Sequence, residues 1–355
     1  MKPLRSYRLL KTLSAICFLL LSDAVGGQVT WTVPGTYPTV ASAITALNAG
    51  GVPAGGLTID VAAGHSETSM NMTISTTTAT VANPILIQKS GAGANPLIQS
   101  SAAGSGVLSV AASGNADCFL EIFSTDYVTI DGIDFLENYT GATATSIIEY
   151  GIFLTKINTD ACNYITVRNC NISLSINSTY TKGIFQSNVN GGTGAAVNVN
   201  NAGGQCNNNS YYSNTIKNIY SGIYLSGYSS NYHDLNCTIG VGGGNTIIDY
   251  GITSLAQPIY TLYQKHVIVA NNILNGGTGS PWTLYAIWVQ NPNNSNVDVY
   301  DNTITMLNSG YNKGIYITGG SLTGGFTNTI NIYNNTITGC VNGGLTSEFG
   351  GIIHE

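Results

Sequence analysis

The feature that most constrains this 355-residue chain is an internal repeat. A Gly-Ile-aromatic signature begins at Gly151 (Gly-Ile-Phe-Leu), Gly183 (Gly-Ile-Phe-Gln), Gly222 (Gly-Ile-Tyr-Leu) and Gly314 (Gly-Ile-Tyr-Ile), with degenerate copies at Gly251 (Gly-Ile-Thr) and Ala286 (Ala-Ile-Trp-Val). The starts lie 32, 39, 29, 35 and 28 residues apart. A second signature follows the first. It reads Asn169-Cys170-Asn171-Ile172, Asn214-Thr215-Ile216, Asn245-Thr246-Ile247, Asn271-Asn272-Ile273, Asp301-Asn302-Thr303-Ile304 and Asn334-Asn335-Thr336-Ile337. Two linked signatures recurring every ~30 residues mean one structural turn per unit, each too small to bury its apolar side alone. The isoleucines are expected to stack on their copies above and below. The asparagines are expected at turns, where their amides bond the neighbouring copy and their backbone tolerates the left-handed region.

Strand signals support this reading. Leu57-Thr58-Ile59-Asp60-Val61, Pro84-Ile85-Leu86-Ile87-Gln88 and Tyr127-Val128-Thr129-Ile130-Asp131 alternate apolar and polar residues between Gly, Asn and Ser. One helix is predicted within Tyr37 to Asn48. Val40, Ile44 and Leu47 share a face, Pro38 sits at the entrance, and Gly50 and Gly51 follow the end. Its expected role is to cap the apolar end of the first coil.

The N-terminus reads as an export signal. Lys2, Arg5, Arg8 and Lys11 precede an apolar run from Leu13 to Leu21, and small and polar residues follow through Gly27. The expected division is a signal peptide over 1–27, an N-terminal cap with a short helix over 28–56, and coils over 57–355. The last coil opens at Phe349-Gly350-Gly351-Ile352-Ile353 and stops at Glu355, which suggests a continuation beyond this sequence. The expected location is secreted or at the cell surface.

Charge narrows the partners. Of 11 basic and 17 acidic residues, four bases and Asp23 lie in the signal, which leaves 7 against 16, a net of −9. Only Arg168 remains as arginine. A nucleic-acid binder needs a basic footprint, and a peripheral membrane binder needs a basic amphipathic face; neither is present. Charged residues are 8% of the chain, so its surface is polar but uncharged and suits neutral ligands. Six cysteines follow the signal: Cys118, Cys162, Cys170, Cys206, Cys237 and Cys340. No C-x-x-C pair suggests zinc. A Cys162–Cys170 disulfide and buried free thiols are both open.

These units, with Tyr127-Val128-Thr129-Ile130-Asp131-Gly132-Ile133-Asp134-Phe135, resemble the right-handed parallel β-helix proteins of the pectin-lyase-like superfamily. Gly35 through Gly64 is similar to the N-terminal cap and first coil of bacterial exported members. The resemblance spans most of residues 29 to 355 and implies an all-β solenoid with a capping helix. It is nearly silent on chemistry, since the superfamily holds lyases, hydrolases, esterases and adhesins. Ala63-Gly64-His65-Ser66-Glu67 resembles a structural turn of that family. The active-site signatures of its pectin methylesterases and polygalacturonases have no counterpart here.

Candidate chemistry is sparse. Asp126, Asp131, Asp134 and Glu137, with Glu121 upstream, form the densest carboxylate set, suited to glycoside hydrolysis or calcium. The plainer reading is that they satisfy turn amides. Lyases of the resembled family use a basic residue, for which Arg168, Lys156 and Lys182 are candidates, with calcium as the implied cofactor. His233 and Asp234 are adjacent, but no nucleophile triad is spaced around them. No metal site is otherwise expected. Among 21 tyrosines, Tyr228, Tyr232 and Tyr311, with Trp282, are candidate sugar contacts. The aromatic two residues after each unit's Gly recurs at one strand position and reads as a packing ladder, with glycan contact as the alternative. Matched Thr303-Ile304-Thr305 and Thr336-Ile337-Thr338 are too few for a water-ordering face. The leading expectation is a surface β-helix acting in adhesion or glycan binding without catalysis. The rivals are a lyase or hydrolase of acidic polysaccharide and a structural spacer of a larger exported protein.

Overall fold

A computed structural model describes residues 26–100, 104, 117–138, 146–176, 178–229, 231–251, 255–276, 283–292, 295–306, 310–319, 328–339 and 349–355. Most of the expected signal segment, Trp282 and Cys340 lie outside these residues. Among those described, three long sheets of ten, nine and nine strands run the length of the molecule, with every neighbouring pair parallel. The chain visits them in a fixed order. In one coil, Val128–Asp131 lies in the first sheet, Asp134–Glu137 in the second and Tyr150–Thr155 in the third. The chain then returns to the first sheet at Thr166–Arg168. This is a parallel β-helix.

The first sheet begins with Val29–Val33, which pairs with Leu57–Ala62. Between them lies the helix Val40–Gly50 (α1), capped by Thr39 and Ser42 side chains that reach back to each other's backbone. Val40, Ala43, Ile44 and Leu47 are buried on one face, and α1 packs against Val29–Val33, Leu57–Ala62 and Met72–Ile74. The buried Glu67 carboxylate accepts the Val40 and Ala41 N–H groups at 2.7 and 3.3 Å, at the positive end of the helix.

The interior is a set of aliphatic rows. Ile152, Ile184, Ile223, Ile259, Ile287 and Ile315 align from coil to coil and are each fully buried. Burial of each such side chain is worth about 1.5–3 kcal/mol. The glycine before the isoleucine has a steric cause. A Cβ at Gly222 would lie 2.6 Å from the Pro258 carbonyl oxygen and 2.8 Å from the Ile247 side chain. At Gly314 it would lie 2.6 Å from the Gly351 oxygen and 2.7 Å from Ile337. Register is kept across the glycine, since Tyr150 pairs with Lys182 and Ile152 with Ile184 at one offset. Strand alternation is broken, so Tyr150 and Phe153 share the outer face with ring centroids 4.7 Å apart.

Two expected copies shift. Gly251 is not the fourth copy of the first signature. Pro258-Ile259-Tyr260 is, because Ile223 pairs with Ile259 and Tyr224 with Tyr260. In the second signature Asn272 aligns with the other asparagines, but the inward residue is Leu274. Ile273 takes the outward threonine position and is 50% exposed, as a one-residue offset requires.

At the turn between the first and second sheets the two asparagine functions fall on adjacent residues. Asn169, Ser213, Asn271, Asp301 and Asn334 hold the left-handed backbone, with φ of 55–62°. The next residue makes the ladder. The Asn245, Asn272, Asn302 and Asn335 side-chain oxygens accept the backbone N–H of Asn214, Asn245, Asn272 and Asn302 at 3.0–3.1 Å. The side-chain amides of Asn214, Asn245, Asn272 and Asn302 donate to the same oxygens at 2.9–3.0 Å. Cys170 stands at this position one coil earlier, and its N–H donates to Asn214 at 3.1 Å.

The five described cysteines are buried free thiols. The Cys162–Cys170 pairing is therefore corrected. Each thiol has its own partner instead, Cys162 donating to the Ile122 carbonyl at 3.2 Å and Cys170 to the Arg168 carbonyl at 3.1 Å.

Asn272→Ala is expected to destabilise the protein by about 1–3 kcal/mol, since it strands bonded partners on both sides. Asn271→Gly, which alters only the left-handed residue, is expected to stay within about 0.5 kcal/mol. Parallel urea melts of the two variants test this division of labour.

Candidate functional site

The outer face of the third sheet carries two aligned rows. One runs Cys118, Tyr150, Lys182 and Ser221, and further along the same sheet Tyr285 pairs with Lys313. The other runs Glu121, Phe153, Phe185, Tyr224, Tyr260, Trp288 and Tyr316, one residue per coil. Successive ring centroids from Phe153 to Tyr316 lie 4.4–5.5 Å apart. This spacing follows from the ~4.8 Å separation of parallel strands, and the tilted and edge-on contacts are favourable ring geometries. The recurring aromatic is thus a ladder, outside the aliphatic core. Phe153, Phe185, Tyr260 and Tyr316 are buried, whereas Tyr224, Tyr285 and Trp288 are half-buried.

Polar groups on this face are tied to the rings. The Lys182 ammonium lies 4.9–5.3 Å from the centroids of Tyr150, Phe185 and Tyr224. Burial pushes it down to about 8, against a smaller opposing pull from Glu149. Lys313 lies 3.6 Å from the Tyr316 centroid and pairs with Glu355 at 3.2 Å. The Trp288 indole N–H donates to Thr318 at 2.8 Å, and Tyr260 bonds Gln290.

Carboxylates gather beside the first coils of this face. Glu121 accepts from Thr73 at 2.9 Å and Thr155 at 2.7 Å. Glu149 accepts the Asp117 N–H at 2.9 Å, and Glu137 accepts the Ile148 N–H at 3.0 Å. The second oxygen of each of the latter two has no hydrogen-bond partner among the described residues. Burial raises Glu149 to about 8 and Glu137 to about 7. Both therefore retain a proton near neutrality that an ordinary carboxyl has lost.

Of the candidates read from sequence, Glu121, Glu137 and Lys182 lie on or beside this face, whereas the others are placed elsewhere and do not converge. Asp126, at the corner between the third and first sheets, accepts the Asn163 N–H and side-chain amide at 2.7 and 3.0 Å. Asp131, on the first sheet, pairs with Arg168 at 2.8 Å and accepts from Asn169 at 2.6 Å. Arg168 also donates to the Tyr212 hydroxyl at 2.9 Å. Asp134, on the second sheet, accepts from Asn95 and Asn171. These carboxylates satisfy turns and coil-to-coil bonds, and no group of three metal-binding side chains occurs among the described residues. Tyr228 and Tyr232 lie in the connection after Ser221–Ser226 and are half-buried, and Tyr311 is 48% exposed at the start of its strand. None of the three belongs to the aromatic row. The row itself was legible in the sequence through the fixed Gly-Ile-aromatic spacing, apart from Tyr260 behind Pro258.

Lys156 and Asp234 meet inside the molecule at 3.2 Å, both with no side-chain exposure. Asp234 also accepts from Gln186 at 2.7 Å and from the Cys206 N–H at 2.9 Å. Gln186 in turn accepts from Asn209 at 3.0 Å and Tyr211 at 2.9 Å. Burial opposes the charge on Lys156, but Asp234 and its hydrogen bond outweigh it and hold the group above its ordinary value. The pair is an internal strut between coils and is closed to solvent.

No protein-family model matches the chain, and no curated protein matches it. Solved structures do. An alginate lyase from Paenibacillus sp. str. FPU-7 is 14% identical, with 92% of this chain and 99% of that one covered and a TM-score of 0.50. A GH136 lacto-N-biosidase from Eubacterium ramulus is 14% identical over 92% of this chain and 70% of that one, with a TM-score of 0.42. The rice weevil pectin methyl esterase is 13% identical over 96% and 98%, with a TM-score of 0.38. What this chain shares with the alginate lyase is the fold. The expected parallel β-helix is thereby confirmed, and the chemistry must be argued from this chain's own residues.

Two outcomes follow from these charges. Removing the partner of a buried lysine leaves an uncompensated ion, so Asp234→Asn is expected to cost about 3–5 kcal/mol in a denaturant melt. The folded Glu149 carboxyl, at about 8 against 4.5 when unfolded, holds a proton that the unfolded chain has released. Stability contributed by this group is present below pH 4.5 and lost as pH rises through about 8. Glu149→Gln, which mimics the protonated form, is expected to flatten that decline in melting temperatures recorded across the window.

Proposed function

We propose that this protein binds a neutral polysaccharide along the outer face of its third sheet. The observation that carries the reading is the in-register aromatic row from Phe153 to Tyr316, with half-buried rings at Tyr224 and Trp288. Ring faces stack on pyranose C–H surfaces. Tyr224 and Trp288, two coils apart, offer an extended glycan a repeated contact along the solenoid axis. The two lysines on this face are engaged with rings, and Lys313 is also paired with Glu355. The face therefore has little to offer a chain of uronates and suits uncharged sugars. A fold shared with an alginate lyase is compatible with a polysaccharide ligand. Action outside the cell, as an adhesin or glycan-binding surface protein, fits the basic and apolar N-terminal segment, and α1 fits a cover for the first coil.

A second reading is glycan cleavage. It is favoured by the half-buried Glu137 carboxyl beside this face, which burial raises to about 7 and which so keeps a proton available as a general acid must. Acidic-polysaccharide lysis belongs to the same alternative.

The test is calorimetric titration with cellohexaose, mannohexaose and xylohexaose against a galacturonate oligomer. At least one neutral hexasaccharide is expected to bind, and Trp288→Ala is expected to weaken it about tenfold. No neutral binding, or an unaffected Trp288→Ala variant, sinks the reading. Release of reducing ends that Glu137→Gln abolishes would establish cleavage instead, and unsaturated products from alginate or polygalacturonate would establish lysis.

A further inference from the structure

The connection from Gln186 to Ser210 is far longer than its counterpart from Leu262 to Val267, and it does not simply bridge two sheets. Its first part folds back over earlier coils. The Val189 carbonyl accepts the Lys156 N–H at 2.9 Å. A small hairpin follows, closed by Asn190 N–H to the Ala195 carbonyl at 2.9 Å and Val197 N–H to the Asn188 carbonyl at 3.0 Å. The Asn188 side chain adds a bond to the Val197 carbonyl at 2.8 Å. Val189 is buried in a cluster with Cys118, Tyr150, Phe153 and Phe185. Gly191 lies so close over Glu121 and Thr155 that a Cβ there would run into the carboxylate and the hydroxyl. Val197 and Val199 are buried as well, and Asn200 N–H reaches the Asn158 carbonyl at 3.3 Å. The segment 188–199 is thus a strap seated on the outer face of the third sheet.

Its position divides the aromatic row. Under the strap, Phe153 is 2% and Phe185 7% exposed. Beyond it, Tyr224, Tyr285 and Trp288 are half-buried, with Tyr260 and Tyr316 buried between and after them. A glycan extended along Trp288 and Tyr224, over the buried Tyr260, meets the strap at Phe185 and can go no further along the face. The apolar anchors and backbone bonds make the strap a wall fixed to the solenoid.

We infer that this wall makes the face a receptor for chain ends: the last sugar abuts the strap, and the middle of a long chain has no continuous track to lie in. This rests on the glycan-binding reading above. It refines the ligand class from neutral polysaccharide to the terminus of one.

The experiment compares whichever of cellohexaose, mannohexaose and xylohexaose binds with the corresponding soluble long polymer. Concentrations are matched first by sugar residue and then by chain end. A chain-end receptor binds both equally per chain end, and the polymer at least about tenfold more weakly per sugar residue. Equal binding per sugar residue overturns the inference while leaving glycan binding intact. Absence of binding to hexasaccharide and polymer alike overturns both. Two variants separate the wall from general damage. One deletes residues 191–194, and the other is Val189→Ser, which loosens the apolar anchor without shortening the chain. Circular dichroism checks the fold of each. In a folded strap variant the polymer is expected to gain about tenfold per sugar residue, with the hexasaccharide nearly unchanged. A folded variant of either kind with unaltered polymer binding overturns the wall's role.

Discussion

A polar amide in a protein interior is tolerable only when both of its ends are bonded. The column from Asn214 to Asn335 meets that demand by sharing. Each side-chain oxygen serves the N–H and the amide of the coil before it, and each amide also reaches back to a carbonyl such as Val167 or Tyr211. A coil that slipped by one residue would bury an unsatisfied amide and turn its isoleucine outward together. Register is therefore held by two penalties that act in concert, and it is register that turns a repeated sequence into straight rows of side chains.

The aromatic face inherits its order from that register. Nothing about tyrosine or tryptophan alone would bring seven coils' worth of side chains into file. The file exists because the aliphatic rows inside allow one alignment, and because the glycine column opens just enough room for adjacent backbones to approach. The break in alternation at those glycines then places Tyr150 and Phe153 on the same outer surface, widening a single row into a platform. The interior strut of Lys156 and Asp234 also ties one coil to another. Two opposite charges with no exposure are costly to bring out of water, and here they are matched by Gln186, Asn209 and backbone donors that leave the acceptors of Asp234 occupied.

Much of the architecture was readable because it repeats. Gly151, Gly183, Gly222 and Gly314 announce the third sheet, and the asparagines announce the turn between the other two. Two copies resisted for physical reasons. Pro258 stands where glycine was expected, and a proline ordinarily argues against a central strand, so Gly251 drew the assignment. Ile273 looked like a core residue because an asparagine precedes it, but the doubled Asn271-Asn272 moves the inward position to Leu274. The site was less readable. Asp126, Asp131, Asp134 and Arg168 are close in sequence, yet the solenoid distributes them over two sheets and a corner, where each has a turn or a neighbouring coil to satisfy. Glu121, Glu149 and Lys182 come together only because separate coils stack. Segment 188–199, rich in Gly, Asn and Ala, carries no periodic signal, and its function as a strap depends on a few valines finding the outer face.

The same asparagine column has a mechanical consequence. Its bonds run parallel to the axis of the solenoid, from coil to coil, as do the strand-to-strand bonds. A tensile load along that axis falls on these rungs one after another, with each coil a link in the series. Extension would therefore come in increments of one coil, and the force needed would be set by the weakest rung. Cys170, which supplies only its backbone N–H where its neighbours along the column supply a side-chain amide as well, marks where such a chain of links would give way first.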